Sequence, residues 1–293
     1  MSPLIYIHKG YSWYVPLALL NGKRFSSGKI IYLAGSYGCW VARLLGVQSC
    51  RVDDYRRSAD AFGKIYRHHS SLGHEFELFC IQRWFILAEF LEAKQMESCI
   101  YLDTDVQLTK SLSSVVAQTR KFGLTFTGYS AHVCLVNHLD AIKQLCQFIM
   151  ELYSDPASET KFREWHQKMV KETGSGGVSD MTLFYWFQKT YPEVLGDYPS
   201  IFGDSPIDVS LEEIRGFESD KNGFKKLVWK GGVPSAVTSH GCSVELSALH
   251  HQGRGKKLMS SNAARLGIGY FQRKFMSPTL SILYHLVSKI SSL

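Results

Sequence analysis

The sequence predicts an α/β fold that opens with parallel strands and ends in a basic, helical C-terminal extension. Short apolar runs rich in β-branched residues alternate with stretches of helical composition, and an acidic pair directly follows one of these runs. The chain has 293 residues, of which 45% are hydrophobic and 20% charged. A chain of this length and composition can bury a substantial core, in one large domain or two small ones.

The first elements predict the opening of a parallel sheet. The apolar runs 4–7 and 29–33 predict two strands, and the segment 15–21 between them has helical composition and is followed by Gly22. A strand, a helix and a second strand in this order are typical of a parallel β-α-β unit.

The later elements follow from periodicity and from breaker residues. Residues 50–74 are polar and basic and indicate a surface excursion. Further elements are predicted as a buried helix at 75–93, a strand at 99–102, an amphipathic helix at 141–153, a helix from Met181 capped by Ser179 or Asp180 after the glycine-rich stretch 173–180, and a late strand or hairpin near 227–237.

The net charge of +7 is concentrated at the C-terminal end. No acidic residue follows Glu245, and the basic residues after it are Arg254, Lys256, Lys257, Arg265, Arg273, Lys274 and Lys289. This asymmetry favours an anionic partner such as a phosphate-bearing ligand or an anionic membrane surface, although a solvated basic tail has the same composition. We expect no nucleic-acid partner, because the charge lies at one end and no recognition motif accompanies it.

The cysteines and the apolar segments indicate a cytoplasmic protein. The chain has seven cysteines and no Cys-x-x-Cys pair, which favours free thiols in a reducing compartment over a disulfide framework or a zinc site. The first residues have no basic segment followed by a long apolar run, as a signal peptide would. No stretch approaches the ~18–20 apolar residues of a membrane span.

Two domains are predicted, a catalytic domain at 1–259 and an extension at 260–293. Ser277-Pro278 predicts the start of a helix in the extension. One face of this helix collects the apolar side chains Leu280, Leu283, Leu286, Val287, Ile290 and Leu293. A basic run followed by such a helix is typical of a peripheral anchor at the inner face of the membrane, but the helix can equally dock on the domain.

Asp103 and Asp105 follow the predicted strand 99–102 and form an Asp-x-Asp pair. Alternation along an extended chain directs the two carboxylates to the same side, at the strand edge where open α/β sheets bind ligands. Two carboxylates that share a site repel each other unless a cation lies between them. Their oxygens suit Mg²⁺ or Mn²⁺, which would in turn bind a diphosphate.

A second motif, His-x-x-Gly-x-x-Lys, lies at His250, Gly253 and Lys256. A neutral imidazole can be a third ligand to Mn²⁺ held by carboxylates. Glycine lets the backbone approach a phosphate closely, and a lysine beyond it can neutralise phosphate charge.

Together the two motifs resemble those of GT-A-type glycosyltransferases, most nearly family 8. A looser group of bacterial capsule and cell-surface polysaccharide transferases also has sequences similar to this chain at the opening 3–8, at Arg83 and at 250–253. The resemblance implies a Rossmann-like mixed sheet flanked by helices. The sequence departs from family 8 at two places. Lys257-Leu258 stands where that family usually has Pro-Trp, and residues 127–132 stand where it usually has an Asn-x-Gly segment. Whether the anomeric configuration is retained or inverted therefore stays open.

The resemblance also implies a hexosyltransferase that moves a sugar from a nucleotide-diphosphate donor, most simply a UDP-sugar, to a saccharide or lipid-linked acceptor. It implies that Mn²⁺ or Mg²⁺ is bound by Asp103, Asp105 and His250, with Asp105 also acting in catalysis. It places Arg83, the Gly253 backbone and Lys256 at the donor phosphates. It places Ile7, His8 and Lys9 at the nucleoside.

Asp180 is the candidate on the acceptor side. In transferases of this fold an acidic residue after such a loop contacts the acceptor hydroxyl or accepts its proton, although Asp180 can also be a simple helix cap. His132 is a weaker candidate for the same role, since a lone histidine is more often only packed.

Two other interpretations remain open. Haloacid dehalogenase-like phosphatases also place Asp-x-Asp after a strand, and Gly203 to Asp208 imitates their acidic motif, but Gln107 stands where they need threonine. A catalytically inactive glycan-binding or scaffold module on the same fold is the other.

Overall fold

A computed structural model describes residues 2–127, 130–202 and 206–268. The strands within these residues are β1 Leu4–Ile7, β2 Ile30–Ala34, β3 Gln48–Arg51, β4 Cys99–Leu102, β5 Val106–Leu108, β6 Leu124–Thr127, β7 Ser130–Val136, β8 Leu195–Asp197, β9 Leu227–Lys230, β10 Val233–Val237, β11 Ser243–Glu245 and β12 Ala248–His250. The helices are α1 Val15–Phe25, α2 Ser36–Leu44, α3 Arg57–Gly63, α4 His74–Ala93, α5 Ser113–Thr119, α6 Leu139–Ser154, α7 Ser158–Thr173, α8 Asp180–Thr190, α9 Tyr198–Phe202 and α10 Met259–Arg265. Short 3-10 helices cover Val52–Tyr55 and Gly253–Leu258.

The central sheet has seven strands in the order β3-β2-β1-β4-β7-β6-β8. Strands β1 to β4 are parallel to their neighbours within this group, β7 is antiparallel to both β4 and β6, and β8 is parallel to β6. The predicted α/β fold with a mixed sheet and flanking helices is therefore confirmed.

Both faces of the sheet are covered, which explains why its central strands β1, β2 and β4 are almost continuous apolar runs. Ile5 and Ile7 of β1 pack in the same core as α4, whereas Leu4 and Tyr6 pack on the opposite face with α1 and α2. Burial on two sides fixes the register of β1, because a slip of one residue would exchange the two sets of side chains.

Helix α1 continues past Gly22, so the predicted end of this helix was wrong. A Cβ at Gly22 would lie 2.8 Å from the Tyr6 hydroxyl and 2.9 Å from Leu4 Cδ2. Gly22 is needed because the helix packs closely on β1, and a residue chosen for close packing carries no stop signal.

The segment predicted as a surface excursion contains regular structure. The end of β3, a 3-10 helix and α3 lie between residues 50 and 74, and Val52, Tyr55 and Phe62 are buried in the core beside α4. Their polar and basic neighbours face outward and hide the apolar positions in the sequence pattern.

Two smaller sheets lie beyond the central one. Strands β9, β10 and β11 form an antiparallel sheet, which confirms the predicted late hairpin. Strand β12 pairs antiparallel with β5, with His250 opposite Val106. This pairing joins the segment after Asp105 to the segment that carries the second motif.

The described start of the predicted extension packs on the rest of the protein. Ala263, Leu266 and Ile268 form a small core with Met259 and with Leu17 of α1. The predicted amphipathic helix from Ser277 and the basic residues Arg273, Lys274 and Lys289 lie outside the described residues, and the division at 259/260 stays a prediction. Among the described helices, none combines the length and apolar character needed to cross a membrane.

Candidate functional site

One cavity of about 910 Å³ opens at the carboxyl ends of β1 and β4. Side chains from the ends of these strands and the segments after them, from α4, α7 and α8, and from the end of β12 and the segment after it line the cavity. Of the site residues predicted from the sequence, those that line the cavity are Ile7, His8, Lys9, Arg83, Asp103, Asp105, Asp180, His250 and Lys256. Gly253 is not among the residues that line it.

Asp103, Asp105 and His250 converge in this cavity. One ligand atom from each of the three side chains lies within 4.8 Å of the other two. The backbone N–H of His251 donates to the carbonyl of Asp105 at 2.9 Å and extends the β5–β12 pairing up to the site. Two carboxylates and an imidazole are ligands that Mn²⁺ accepts, so the donor set fits a divalent cation.

A hydrogen bond at Nδ1 of His250 determines which ring nitrogen is available to bind a metal. Nδ1 lies 2.6 Å from the carbonyl oxygen of Val209, to which it can only donate, and Nε2 lies 3.6 Å from Asp105 Oδ1. A donor bond at Nδ1 leaves Nε2 as the nitrogen available for a metal, as is usual for metal-binding histidines.

The two carboxylates differ in their electrostatic surroundings. Burial raises the pKa of Asp103, and the Arg83 guanidinium beside it only partly offsets this effect. Burial also works to raise the pKa of Asp105, but His250 and Lys256 outweigh it and hold that pKa well below its usual range. The Lys256 ammonium lies 2.8 Å from Asp105 Oδ2.

Arg83 joins the acidic pair to Asp180. Its Nη1 donates to Asp103 Oδ1 at 2.5 Å, and its Nη2 donates to Asp180 Oδ2 at 2.6 Å. The Tyr101 hydroxyl donates to the same Asp103 oxygen at 2.6 Å. Arg83, which is predicted to lie at the donor phosphates, therefore forms ion pairs with two carboxylates of the protein.

Asp180 lies at the start of α8, where Ser179 is the N-cap residue. Its Oδ2 also accepts from Trp84 Nε1 at 3.3 Å, and its Oδ1 accepts from the Met181 backbone N–H at 2.9 Å. Both carboxylate oxygens therefore have partners within the protein. Its predicted role at the acceptor hydroxyl stays a prediction.

A buried ion pair between Lys225 and Asp208 is hydrogen-bonded to the backbone of His250, the candidate metal-binding histidine. The Lys225 ammonium donates to Asp208 Oδ1, and both side chains are almost completely buried. Asp208 Oδ2 accepts from the His250 backbone N–H at 3.3 Å, and the Asp208 carbonyl accepts from His132 Nε2 at 2.8 Å. His132 is thus a packed residue behind His250 and does not line the cavity.

Sequence reasoning missed this support. Asp208 was noticed only as part of a phosphatase-like motif, and no local pattern marks Lys225. The pairing depends on contacts between distant segments, which only the fold brings together.

The two polar residues after β1 have different environments. His8 Nδ1 lies 2.9 Å from the Thr104 hydroxyl, and burial lowers the His8 pKa to about 4, so the imidazole is neutral at pH 7. Lys9 is exposed and its ammonium lies 3.3 Å from Glu75 Oε2.

Glu77 is a further cavity residue that sequence reasoning missed. Its Oε1 accepts from the Ser70 hydroxyl at 3.2 Å, while its buried Oε2 has no hydrogen-bond partner. Burial, together with the nearby negative charge of Asp180, raises the Glu77 pKa to about 7. Its position in a helix that is apolar on most faces gave no signal.

No family model matches the sequence, and a search of curated proteins finds no relative. Among solved structures, the chain is similar to the glycosyltransferase GlyE of Streptococcus pneumoniae TIGR4, at 15% identity and a TM-score of 0.37 over 67% of this chain and 44% of that one. It is similar to the PaToxG glycosyltransferase at 11% identity and a TM-score of 0.38, over 66% of this chain and 75% of that one.

It is also similar to a glycosyltransferase involved in the glycosylation of the major capsid of PBCV-1, at 13% identity and a TM-score of 0.33, over 70% of this chain and 92% of that one. The chain spans less than half the length of GlyE. At TM-scores below 0.5 these similarities do not define a family for the chain.

Proposed function

We propose that this chain is a metal-dependent glycosyltransferase that moves a hexose from a nucleotide-diphosphate donor to a saccharide or lipid-linked acceptor. The observation that carries the proposal is the convergence of Asp103, Asp105 and His250 within 4.8 Å at the carboxyl edge of the central sheet. The combination of Asp-x-Asp with His-x-x-Gly-x-x-Lys favours an enzyme similar to family 8 acting on a UDP-sugar.

The protein residues have separate tasks in this proposal. Asp103, Asp105 and His250 would hold Mn²⁺ or Mg²⁺, and the bound ion would neutralise negative charge on the departing diphosphate. Lys256, already at Asp105, offers a second positive charge on the same side of the cavity. Arg83 keeps the Asp103 carboxylate in place and connects it to Asp180.

The nucleoside would lie beyond the first strand, at Ile7, His8 and Lys9. His8 is held by Thr104, the residue between the two aspartates, so the nucleoside and metal ends of the site are connected by a hydrogen bond. A neutral imidazole can donate to or accept from a base or a ribose, depending on its tautomer. A role for the Gly253 backbone at the phosphates would need movement of the segment that carries it, since Gly253 does not line the cavity.

The proposed acceptor side is the Asp180 end of the cavity. An acceptor hydroxyl there would compete with Arg83 and Trp84 for the carboxylate oxygens. A cytoplasmic location, with the C-terminal extension at an anionic membrane surface, is part of the proposal. It agrees with the basic residues after Glu245.

The phosphatase interpretation fits the structure less well. Asp208, the last residue of the phosphatase-like motif, is buried against Lys225 and does not line the cavity. Gln107 is buried and donates to the Met259 carbonyl at 3.1 Å, away from the acidic pair.

The test is a screen of nucleotide sugars for Mn²⁺-dependent donor hydrolysis, with wild type and Asp105→Asn compared. We expect one donor class to turn over and the variant to lose about 100-fold or more of the rate, because several kcal/mol of charge stabilisation is removed. Asp60→Asn, at an exposed aspartate on α3, is the matched control and should keep the full rate.

Equal rates for wild type and Asp105→Asn would remove the proposed metal role. Release of phosphate from an aryl phosphate without nucleotide would favour the phosphatase. Binding of a nucleoside diphosphate with Mn²⁺ but without turnover of any donor would favour the inactive module.

A further inference from the structure

One end of the cavity, beside α7 and the first turns of α4 and α8, is lined largely by apolar side chains. These residues are Leu72, Phe76, Trp165, Met169, Met181 and Tyr185. Leu72 lies two residues before α4 and Phe76 in its first turn, while the others belong to α7 and α8. These apolar side chains are continuous with the proposed metal site, because one cavity contains both sets.

The rim of this apolar end exposes large hydrophobic side chains to solvent. Phe76 is 61% exposed, Leu72 48% and Met181 40%. Exposed apolar surface of this kind has an unfavourable hydration free energy that burial under a ligand would recover. Its position at the mouth of the candidate active site favours a ligand of that site as the occupant.

The floor of the apolar end is an anchored aromatic pair. The Trp165 and Tyr185 rings stack with centroids 5.7 Å apart at an interplanar angle of 29°. Both rings also pack against the main core, so the floor is fixed in place. Rigid aromatic surfaces bind apolar groups with little loss of side-chain entropy.

The rim is built by a close contact between two loops. Gly177 has φ +154°, and a Cβ there would lie 2.1 Å from the carbonyl oxygen of His69. The Ser71 backbone N–H donates to the Gly176 carbonyl at 2.9 Å. These contacts hold the loop before α4 against the loop before α8, so Leu72 on the first loop and Met181, just after the second, line the same cavity.

The charges at this end occur with both signs. Lys168 and Glu172, of opposite charge, line the cavity one helical turn apart on α7. A surface selective for an anionic headgroup would carry an excess of positive charge. The mixed charges favour a neutral apolar occupant.

We propose that this apolar end binds the aglycone of the acceptor, so that the enzyme prefers a glycoside with an alkyl or aryl group over the free sugar. The proposal rests on the proposed transferase function and adds the class of acceptor. Asp180 and Met181 are neighbours in sequence, and both line the cavity. A hydroxyl of the acceptor sugar at Asp180 would therefore place the group attached to that sugar over Met181 and Phe76.

The test measures binding to the full chain without any donor. Octyl and methyl β-D-glucosides, and the matching galactosides, would be titrated below their critical micelle concentrations by isothermal titration calorimetry. We expect the octyl member of at least one pair to bind about tenfold more tightly, since burial of a few methylenes suffices for this ratio.

Phe76→Ser/Met181→Ser is expected to reduce this preference to about threefold or less. Both positions are exposed, so the variant should fold, and a thermal melt checks this. Val170→Ser is the matched control, because Val170 is 41% exposed on α7 but does not line the cavity. It should keep the full preference.

Equal binding of octyl and methyl glycosides to the wild type would overturn the proposal, as would an octyl preference that survives in the double variant. A third outcome is an octyl preference that depends on Phe76 and Met181 but no turnover of any nucleotide sugar. It would support the apolar binding site and contradict only the transferase function.

Discussion

His132 stacks face to face on His250, with ring centroids 4.0 Å apart and ring planes 8° apart. Burial lowers the pKa of His132 well below its usual range, so this ring is neutral and can lie against its neighbour without charge repulsion. His132 is itself held by Ser130 and by the carbonyl of Asp208. The orientation of His250 therefore depends in part on His132 and Asp208, which do not line the cavity.

The first prediction concerns the ion pair behind this stack. Lys225→Met leaves the buried Asp208 carboxylate without its cation, and loss of one partner of a buried pair costs about 3–5 kcal/mol. We also expect the affinity for Mn²⁺ to fall about 10- to 100-fold, because Asp208 positions His250. Denaturant unfolding and a Mn²⁺ titration measure the two effects.

Lys226→Met is the matched control, since this neighbouring lysine is paired with Glu218 at the surface. It should change the free energy of unfolding by about 0.5 kcal/mol or less. An unchanged Mn²⁺ affinity in a folded Lys225→Met variant would show that the ion pair does not position His250.

The second prediction concerns Arg83. Arg83→Met removes the cation shared by Asp103 and Asp180 and leaves two largely buried carboxylates without it. We expect a loss of about 3–5 kcal/mol in the free energy of unfolding. Arg83→Lys should recover only part of it, because a lysine has a single charged nitrogen and cannot reproduce the fork of Arg83. Equal stability of the methionine variant and wild type would contradict the bridging role.

The third prediction is a dependence of stability on pH. Folding raises the Glu77 pKa from 4.5 to about 7, so the folded protein binds a proton more tightly than the unfolded chain. The contribution of Glu77 to stability is fully present below pH 4.5 and is lost as the pH rises through about 7. Glu77→Gln should therefore be more stable than wild type above pH 7, and its stability should depend less on pH between these values.

Urea unfolding at a series of pH values measures this difference. Glu97→Gln, at an exposed position, is the matched control. If wild type and Glu77→Gln had parallel stability curves from pH 4 to pH 8, the raised pKa of Glu77 would be wrong.

The fourth prediction concerns the glycine-rich loop. Gly177→Ala should destabilise the protein by about 2 kcal/mol or more, because its φ of +154° and the carbonyl of His69 both exclude a side chain. Gly174→Ala has a positive φ but nothing within 4 Å of the added Cβ, so we expect about 1 kcal/mol. Similar losses for the two variants would contradict the close contact of the two loops.

The elements that were predictable from sequence are those with strong local patterns. The strand 99–102 was predicted with its exact bounds, because a dense apolar run ends there at an acidic pair, and α4 was predicted to within one residue, because it is a long apolar run that begins after Gly73. Helix α7 was not predicted, since Phe162 is its only buried large apolar side chain and its remaining residues are largely polar.

The residues of the candidate site also fall into those that local motifs predict and those that they do not. Asp103, Asp105 and His250 stand in recognisable motifs, so their types and spacing suggested a cation before any fold was known. Lys225 and Glu77 have no motif around them, and their importance comes from burial and from neighbours far away in the sequence. The pairing of β5 with β12, which brings His250 to Asp105, is likewise a property of the fold.

The most direct test of the central claim is a Mn²⁺ titration followed by electron paramagnetic resonance, on wild type, His250→Ala and Asp105→Asn. We expect a single tight site in the wild type and a loss of about 100-fold or more in affinity for each variant, because each removes a ligand. His240→Ala, at an exposed histidine outside the cavity, should bind as the wild type does. Equal Mn²⁺ affinity in the wild type and both ligand variants would contradict the proposed metal site.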